Sequence, residues 1–148
     1  MWQDFTEYIL NETKNKNVNI AEIGVGKFDR VAERLSKQDN ITIIKVDILP
    51  DNPTVIKDDI TNPNLELYEG IDIIYSIRPP SELQPHLVKL AQKIDSQLII
   101  KPLTNEDLNT PRVKMKLKNF KKASFYILRW FDEWHIIHIQ HISTGTFK

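Results

Sequence analysis

The stretch Asn19-Ile20-Ala21-Glu22-Ile23-Gly24-Val25-Gly26-Lys27-Phe28 restricts the fold more than any other part of the chain. Apolar residues lead into one acid and then into two glycines separated by a single residue. Beyond them Phe28, Val31, Ala32 and Leu35 recur at i, i+3, i+4 and i+7, an apolar helical stripe. A strand, a tight glycine turn and a helix in that order make the opening βα unit of a nucleotide-binding α/β sheet. Gly24 permits the sharp turn, and Gly26 leaves the backbone open to a ligand that a Cβ would obstruct. A helix beginning at Lys27 would aim free N–H groups and its positive dipole end at the same place.

Two ligand classes suit such a turn. A dinucleotide fingerprint, G-x-G-x-x-G, needs a third glycine at position 29, where this chain has Asp29. A carboxylate there is unfavourable beside a pyrophosphate, which argues against NAD-dependent oxidoreduction. The acid-x-G-x-G pattern of Glu22, Gly24 and Gly26 resembles the first motif of S-adenosylmethionine-dependent methyltransferases. In that motif a carboxylate at the strand end suits a ligand carrying an amino group and a sulfonium. Phe28 stands where many such enzymes have a further glycine.

The chain then keeps alternating between strand and helix patterns. Residues 2–14 have the spacing of an amphipathic helix, with Trp2, Phe5 and Ile9 on one face. Strands are expected over 18–23, 41–46, 53–57, 71–77 and 97–100. Residues 41–46 are β-branched and nearly continuously apolar, the pattern of a strand buried on both faces. Asp47 closes that strand about 20 residues beyond the glycine turn, the interval of a ribose-binding acid. Its carboxylate can accept from both ribose hydroxyls at once. Asp58 and Asp59 close the next strand, and Asp59 fits the acid that accepts from the adenine amino group in methyltransferase-like folds. An adenosine-type small molecule is the ligand these positions imply, and S-adenosylmethionine the cofactor.

The exit of the fourth strand, Ser76-Ile77-Arg78-Pro79-Pro80, should reach the same carboxyl edge as Gly24 and Asp47. Its two prolines stiffen it. Ser76, Arg78, Pro79 and Pro80 are the candidate substrate-loop residues, with Arg78 available to an anionic group. Ser81 and Gln84 have capping-box spacing, and Leu83, Leu87, Leu90, Ala91 and Ile94 form the inner face of the following helix. Amino-methyltransferases often carry an Asn/Asp-Pro-Pro-aromatic motif at this point. Ile77-Arg78-Pro79-Pro80-Ser81 has neither the amide nor the aromatic, and no catalytic base is identified. The run Ile74-Tyr75-Ser76-Ile77-Arg78-Pro79-Pro80-Ser81-Glu82-Leu83-Gln84, taken with the glycine turn, resembles a small archaeal family of uncharacterised proteins that carries a provisional number. The resemblance runs from about residue 1 to the end and implies a Rossmann-like, methyltransferase-like fold without a settled activity.

The C-terminal third has a different texture. Residues 104–110 suit one short helix. Residues 112–118 alternate basic and apolar, so a strand there would set four cations on one face and Val113, Met115 and Leu117 on the other. Lys121 and Lys122 extend the charge. Such a stripe either protects a sheet edge or contacts RNA. Residues 124–131 and 134–142 read as an antiparallel hairpin. In a strand His138 points away from His135 and His141, so no metal site is expected.

The 148 residues, 41% hydrophobic and 27% charged, suit one soluble domain spanning 1–148. The absence of cysteine removes disulfides, thiolate metal sites and cysteine nucleophiles. Net charge is zero, so attraction to nucleic acid must be local. No apolar run approaches the roughly 20 residues of a membrane span, and the N-terminus lacks signal-peptide character, which implies a cytoplasmic protein. The expectation is thus an α/β, Rossmann-like, doubly wound, mostly parallel sheet ending in an antiparallel hairpin. Its function would be that of an S-adenosylmethionine-binding, methyltransferase-like protein. The alternative is a non-catalytic Rossmann-like binding module that contacts RNA through residues 112–122.

Overall fold

The computed structural model describes residues 2–102 and 108–128. Its strands are β1 (Val18–Ile23), β2 (Ile41–Asp47), β3 (Ile56–Lys57), β4 (Ile73–Ile77), β5 (Gln97–Lys101), β6 (Lys116–Phe120) and β7 (Ala123–Leu128). They form one sheet in the order β3-β2-β1-β4-β5-β7-β6. The first five run parallel, whereas β7 lies antiparallel to both β5 and β6. Chain order reverses between β1 and β4, and a crevice at the carboxyl ends of these strands is where such sheets take ligands. The Rossmann-like, mostly parallel sheet with a C-terminal antiparallel hairpin is therefore present.

Alternation along each strand divides the core into two layers. Ile20, Ile73, Tyr75 and Ile99 pack with Phe5 and Ile9 of α1 (Trp2–Glu12) and with Val31 and Leu35 of α2 (Arg30–Ser36). Ala21, Ile23, Ile74, Leu98 and Ile100 pack on the other face against Leu87, Leu90 and Ala91 of α3 (Gln84–Ile94), and against Tyr68. Both faces of the central strands are covered, which is why β4 is rich in isoleucine and the middle of β5 is apolar. Phe5 is the pivot of the first layer. Its ring meets Tyr75 edge-on at 5.8 Å and Phe125 at 5.1 Å, arrangements the ring quadrupoles favour.

Four local expectations need correction. Helix α2 starts at Arg30, not Lys27, because Phe28 turns inward against Trp2, with ring centroids 6.2 Å apart. Strand β2 is less buried than its composition suggests. Thr42 is exposed and Ile43 and Ile44 only half-buried, since the two-residue β3 covers little of its outer side. Ser81 and Gln84 form no capping box: Ser81 lies in a 3-10 turn, and α3 has no side-chain cap. The hairpin pairs residues 116–120 with 123–127, one segment earlier than its expected arms at 124–131 and 134–142. The expected short helix at 104–110 falls mostly outside the described residues. So do residues 134–142 and all three C-terminal histidines.

Candidate functional site

Strand β1 ends in a turn that holds Gly24 at φ +75° and Gly26 at φ +55°. Glycine enters this left-handed region without a Cβ clash. The N–H groups of Gly24 and Val25 donate to the Val46 carbonyl at 2.8 and 3.3 Å, folding the turn over the end of β2. The Gly26 N–H donates to Asp47 Oδ2 at 2.8 Å, and the Leu49 N–H donates to Asp47 Oδ1 at 3.0 Å. Asp47 thus ties the glycine turn to the β2 exit while each oxygen keeps a lone pair for another donor. A Cβ built on Gly26 would meet no atom within 4 Å, so open space lies before this backbone. Ile48 and Leu49, immediately after Asp47, are 53% and 78% exposed.

Glu22 lies elsewhere. It projects into the layer between the sheet and α1, only 1% exposed, and accepts the Tyr75 hydroxyl at 2.6 Å. Burial pushes its pKa from the usual 4.5 up to about 7, against the opposing influence of the Tyr75 hydrogen bond. Nearby Asp29 adds to the rise and Lys45 opposes it. Burial and the Glu22 carboxylate hold the Tyr75 hydroxyl well above its ordinary range. Asp29 itself is met by Lys45, whose ammonium lies 3.6 Å from Asp29 Oδ2.

The adjacent acids at 58 and 59 separate in role. Asp58 anchors its loop, accepting the Tyr68 hydroxyl at 2.6 Å and the Asn64 N–H at 3.1 Å. Its own N–H donates to the Asp47 carbonyl at 3.1 Å, linking the two strand exits. Asp59 remains exposed. Its Oδ1 accepts from the Thr61 hydroxyl and N–H at 2.8 and 2.9 Å, bonds that hold its pKa below the usual carboxylate value.

At the β4 exit the four loop candidates also diverge. Ser76 is buried, and its hydroxyl donates to the Ile23 carbonyl at 2.7 Å, fastening β4 under the glycine turn. Arg78 is exposed and adopts φ +54°, held by a 2.7 Å bond from its N–H to the Lys101 carbonyl. Pro79 is fastened from behind by the buried Gln84 side chain. Gln84 Nε2 donates to the Pro79 carbonyl at 3.3 Å, while Gln84 Oε1 accepts the Asn109 N–H at 2.6 Å. Gln84 has the sequence signature of a helix cap and serves instead as this fastening. Neither Tyr75 nor Lys101 is marked by its spacing as a site residue, each lying in a strand that is mostly apolar.

The basic segment is partly engaged by the fold. Lys118 shares its sheet face with Phe125 and lies 6.0 Å from the Tyr8 ring, whereas Leu117, expected inward, is 47% exposed. Lys121 pairs with Glu7 of α1 at 2.7 Å. Arg112, Lys114 and Lys116 are exposed. Among the described residues no group of three or more His, Asp or Glu is placed to hold a metal ion, and no helix is long and apolar enough to cross a membrane.

Comparison with solved structures finds the same architecture in proteins of very different sequence. A mutant of MtNAS in complex with S-adenosylmethionine superposes with a TM-score of 0.58 at 14% identity. The match covers 84% of this chain and 61% of that one. A SAM-dependent methyltransferase from Aquifex aeolicus gives 0.53 at 14% identity, over 82% of this chain and 87% of that one. At such identities the likeness is one of fold. Sequence relatives are much nearer. A UPF0146 protein of Methanocaldococcus jannaschii is 46% identical over 131 residues, covering 82% of this chain and 91% of its own. That of Methanothermobacter thermautotrophicus is 40% identical over 126 residues, covering 85% and 93%. The family model matches residues 2–130. With residues 2–130 matched by the family model and relatives at 40% and 46% identity over most of its length, the chain belongs to the uncharacterised protein family UPF0146.

Proposed function

We propose that the carboxyl edge of this sheet binds an adenosine cofactor, S-adenosylmethionine, and that the protein is methyltransferase-like in function as well as in fold. The observation that carries this reading is the 2.8 Å bond between the Gly26 N–H and Asp47. It brings the glycine turn and the strand-end acid into one continuous surface, open on the side where a Cβ at Gly26 would project. Asp47 offers its remaining lone pairs to ribose hydroxyls, and the exposed Ile48–Leu49 pair offers an apolar surface to a flat purine. Asp59 is free to accept from an exocyclic amino group through Oδ2. S-adenosylmethionine supplies an already activated methyl group, so the main task left to the chain is orientation.

Titration calorimetry with S-adenosylmethionine and S-adenosylhomocysteine tests the reading, with NAD as the control. Wild type is expected to bind both adenosyl ligands and not NAD. Asp47→Asn replaces a charged acceptor by a neutral one, and affinity should fall roughly ten- to a hundred-fold. The same change turns an amide N–H₂ toward one of two backbone donors, so stability should drop by about 1 kcal/mol. Equal affinities in wild type and variant would remove Asp47 from the site. No binding to wild type would reduce the likeness to one of fold.

A further inference from the structure

Beside the glycine turn, on the α1 side of the sheet, lies a cavity of about 210 Å³. Trp2, Phe5, Phe28 and Ile77 wall it, and Arg78 and Lys101 bring two cations to it. The 2.7 Å bond from the Arg78 N–H to the Lys101 carbonyl keeps these residues side by side. Burial, and then the charge of Arg78, hold the Lys101 ammonium below its usual pKa. Among the described residues neither cation has a carboxylate within ion-pair distance, the two ion pairs being Lys45–Asp29 and Lys121–Glu7. Among the described residues the Lys101 ammonium donates to the Pro102 carbonyl alone, at 3.4 Å.

Arg78 is also strained. A non-glycine residue at φ +54° occupies a sparsely populated conformation that the surrounding structure must enforce. Two cations on adjacent strand ends line one aromatic cavity, and one of them sits on a strained backbone. A ligand charge between them relieves the repulsion. A third cation stands near, with the Arg30 guanidinium 5.8 Å from the Trp2 ring centroid.

We propose that this cavity binds a small organic anion, a carboxylate or phosphate carried on an aromatic or comparably flat apolar group. Arg78 and Lys101 hold the charge, and Trp2, Phe5 and Phe28 enclose the apolar part. As the substrate pocket of the edge described above, the assignment rests on the proposed adenosine site; as an anion site it stands independently. The carboxylate of S-adenosylmethionine is a second source of the same charge, so the test separates the two.

Benzoate, phenyl phosphate and the neutral benzamide are titrated by calorimetry and by tryptophan emission, with Trp2→Phe identifying the Trp2 signal. Benzoate and phenyl phosphate should bind and change Trp2 emission, and benzamide should bind at least about tenfold more weakly. Arg78→Gln and Lys101→Gln should each weaken both anions about ten- to a hundred-fold. Arg78→Gly removes the charge while relieving the backbone, and should show the same loss together with an undiminished melting temperature. In all three variants S-adenosylhomocysteine and 5′-methylthioadenosine should bind as they do to wild type. Benzamide equal to benzoate, or variants equal to wild type, would overturn the assignment. It would also fall if the variants lose affinity for S-adenosylhomocysteine but not for methylthioadenosine, since the cations would then serve the cofactor's own carboxylate. Anion binding by a wild type that ignores every nucleoside would sink the adenosine site and leave this one standing.

Discussion

Glu22 bears the clearest electrostatic cost in the sheet. Its carboxyl is 1% exposed, has one side-chain hydrogen bond, and is raised from the usual 4.5 to about 7. Between these two pH values the unfolded chain has released the proton while the folded chain keeps it. The folded state binds more protons, so stability falls as pH rises through that window. The stabilising contribution is complete below about 4.5 and gone above about 7, a difference of about 3 kcal/mol. Glu22→Gln keeps an acceptor for Tyr75 and cannot ionise. Urea unfolding of both proteins from pH 4 to pH 8 should show the variant gaining on wild type by about that amount, mostly between pH 5 and pH 7. Parallel pH profiles would mean that water reaches this carboxyl.

At the scale of elements, the β6–β7 hairpin shows how a turn can form without turn chemistry. Phe120 pairs with Ala123 across Lys121-Lys122, and Lys121 sits at φ +53°. Positive φ suits tight hairpins, but Asn and Gly are the residues that supply it cheaply. Here α1 holds the turn in place. Asp4 Oδ2 accepts the Lys122 N–H at 3.0 Å, and Glu7 pairs with the Lys121 ammonium at 2.7 Å. Asp4→Ala should therefore destabilise the protein by about 1 kcal/mol, a charged acceptor for a backbone donor being lost. Glu7→Ala breaks only a solvated pair and should cost less than Asp4→Ala. Urea midpoints of the two variants decide this, and a larger loss in Glu7→Ala would contradict the assignment.

For the whole molecule, the decisive feature is that α1, at the start of the chain, packs on strands from its middle and its end. Phe5 touches both Tyr75 and Phe125, and Tyr8 meets Phe120 and Phe125 at 5.7 and 4.7 Å. The antiparallel strand β7 is inserted beside β5, so the hairpin extends the parallel sheet. We propose that residues 1–148 form one domain on these grounds. Far-ultraviolet circular dichroism and tryptophan emission should report a single coincident unfolding transition. Two separated transitions, one of them insensitive to Phe5→Ala, would divide the chain into independent units.

Periodicity and glycine placement determined much of this protein. The β1 strand, the glycine turn, the Asp47 interval and the apolar faces of α1 and α3 were legible because each is a local rule: a repeat of 2 or 3.6, or a residue that alone tolerates a given φ. The three strand-end acids were equally legible, but not what each carboxylate does. Asp47 joins the glycine turn, Asp59 stays exposed, and Glu22 is drawn inside by Tyr75, a partner 53 positions away. The late start of α2 depended on Phe28 finding Trp2, and the hairpin turn on Asp4 finding a backbone N–H 118 positions distant. Arg78 and Lys101 were brought together by neighbouring parallel strands, which no spacing along the chain records. Local conformational preferences are written residue by residue. Which side chains share a cavity is decided only when the sheet order places distant strand ends side by side.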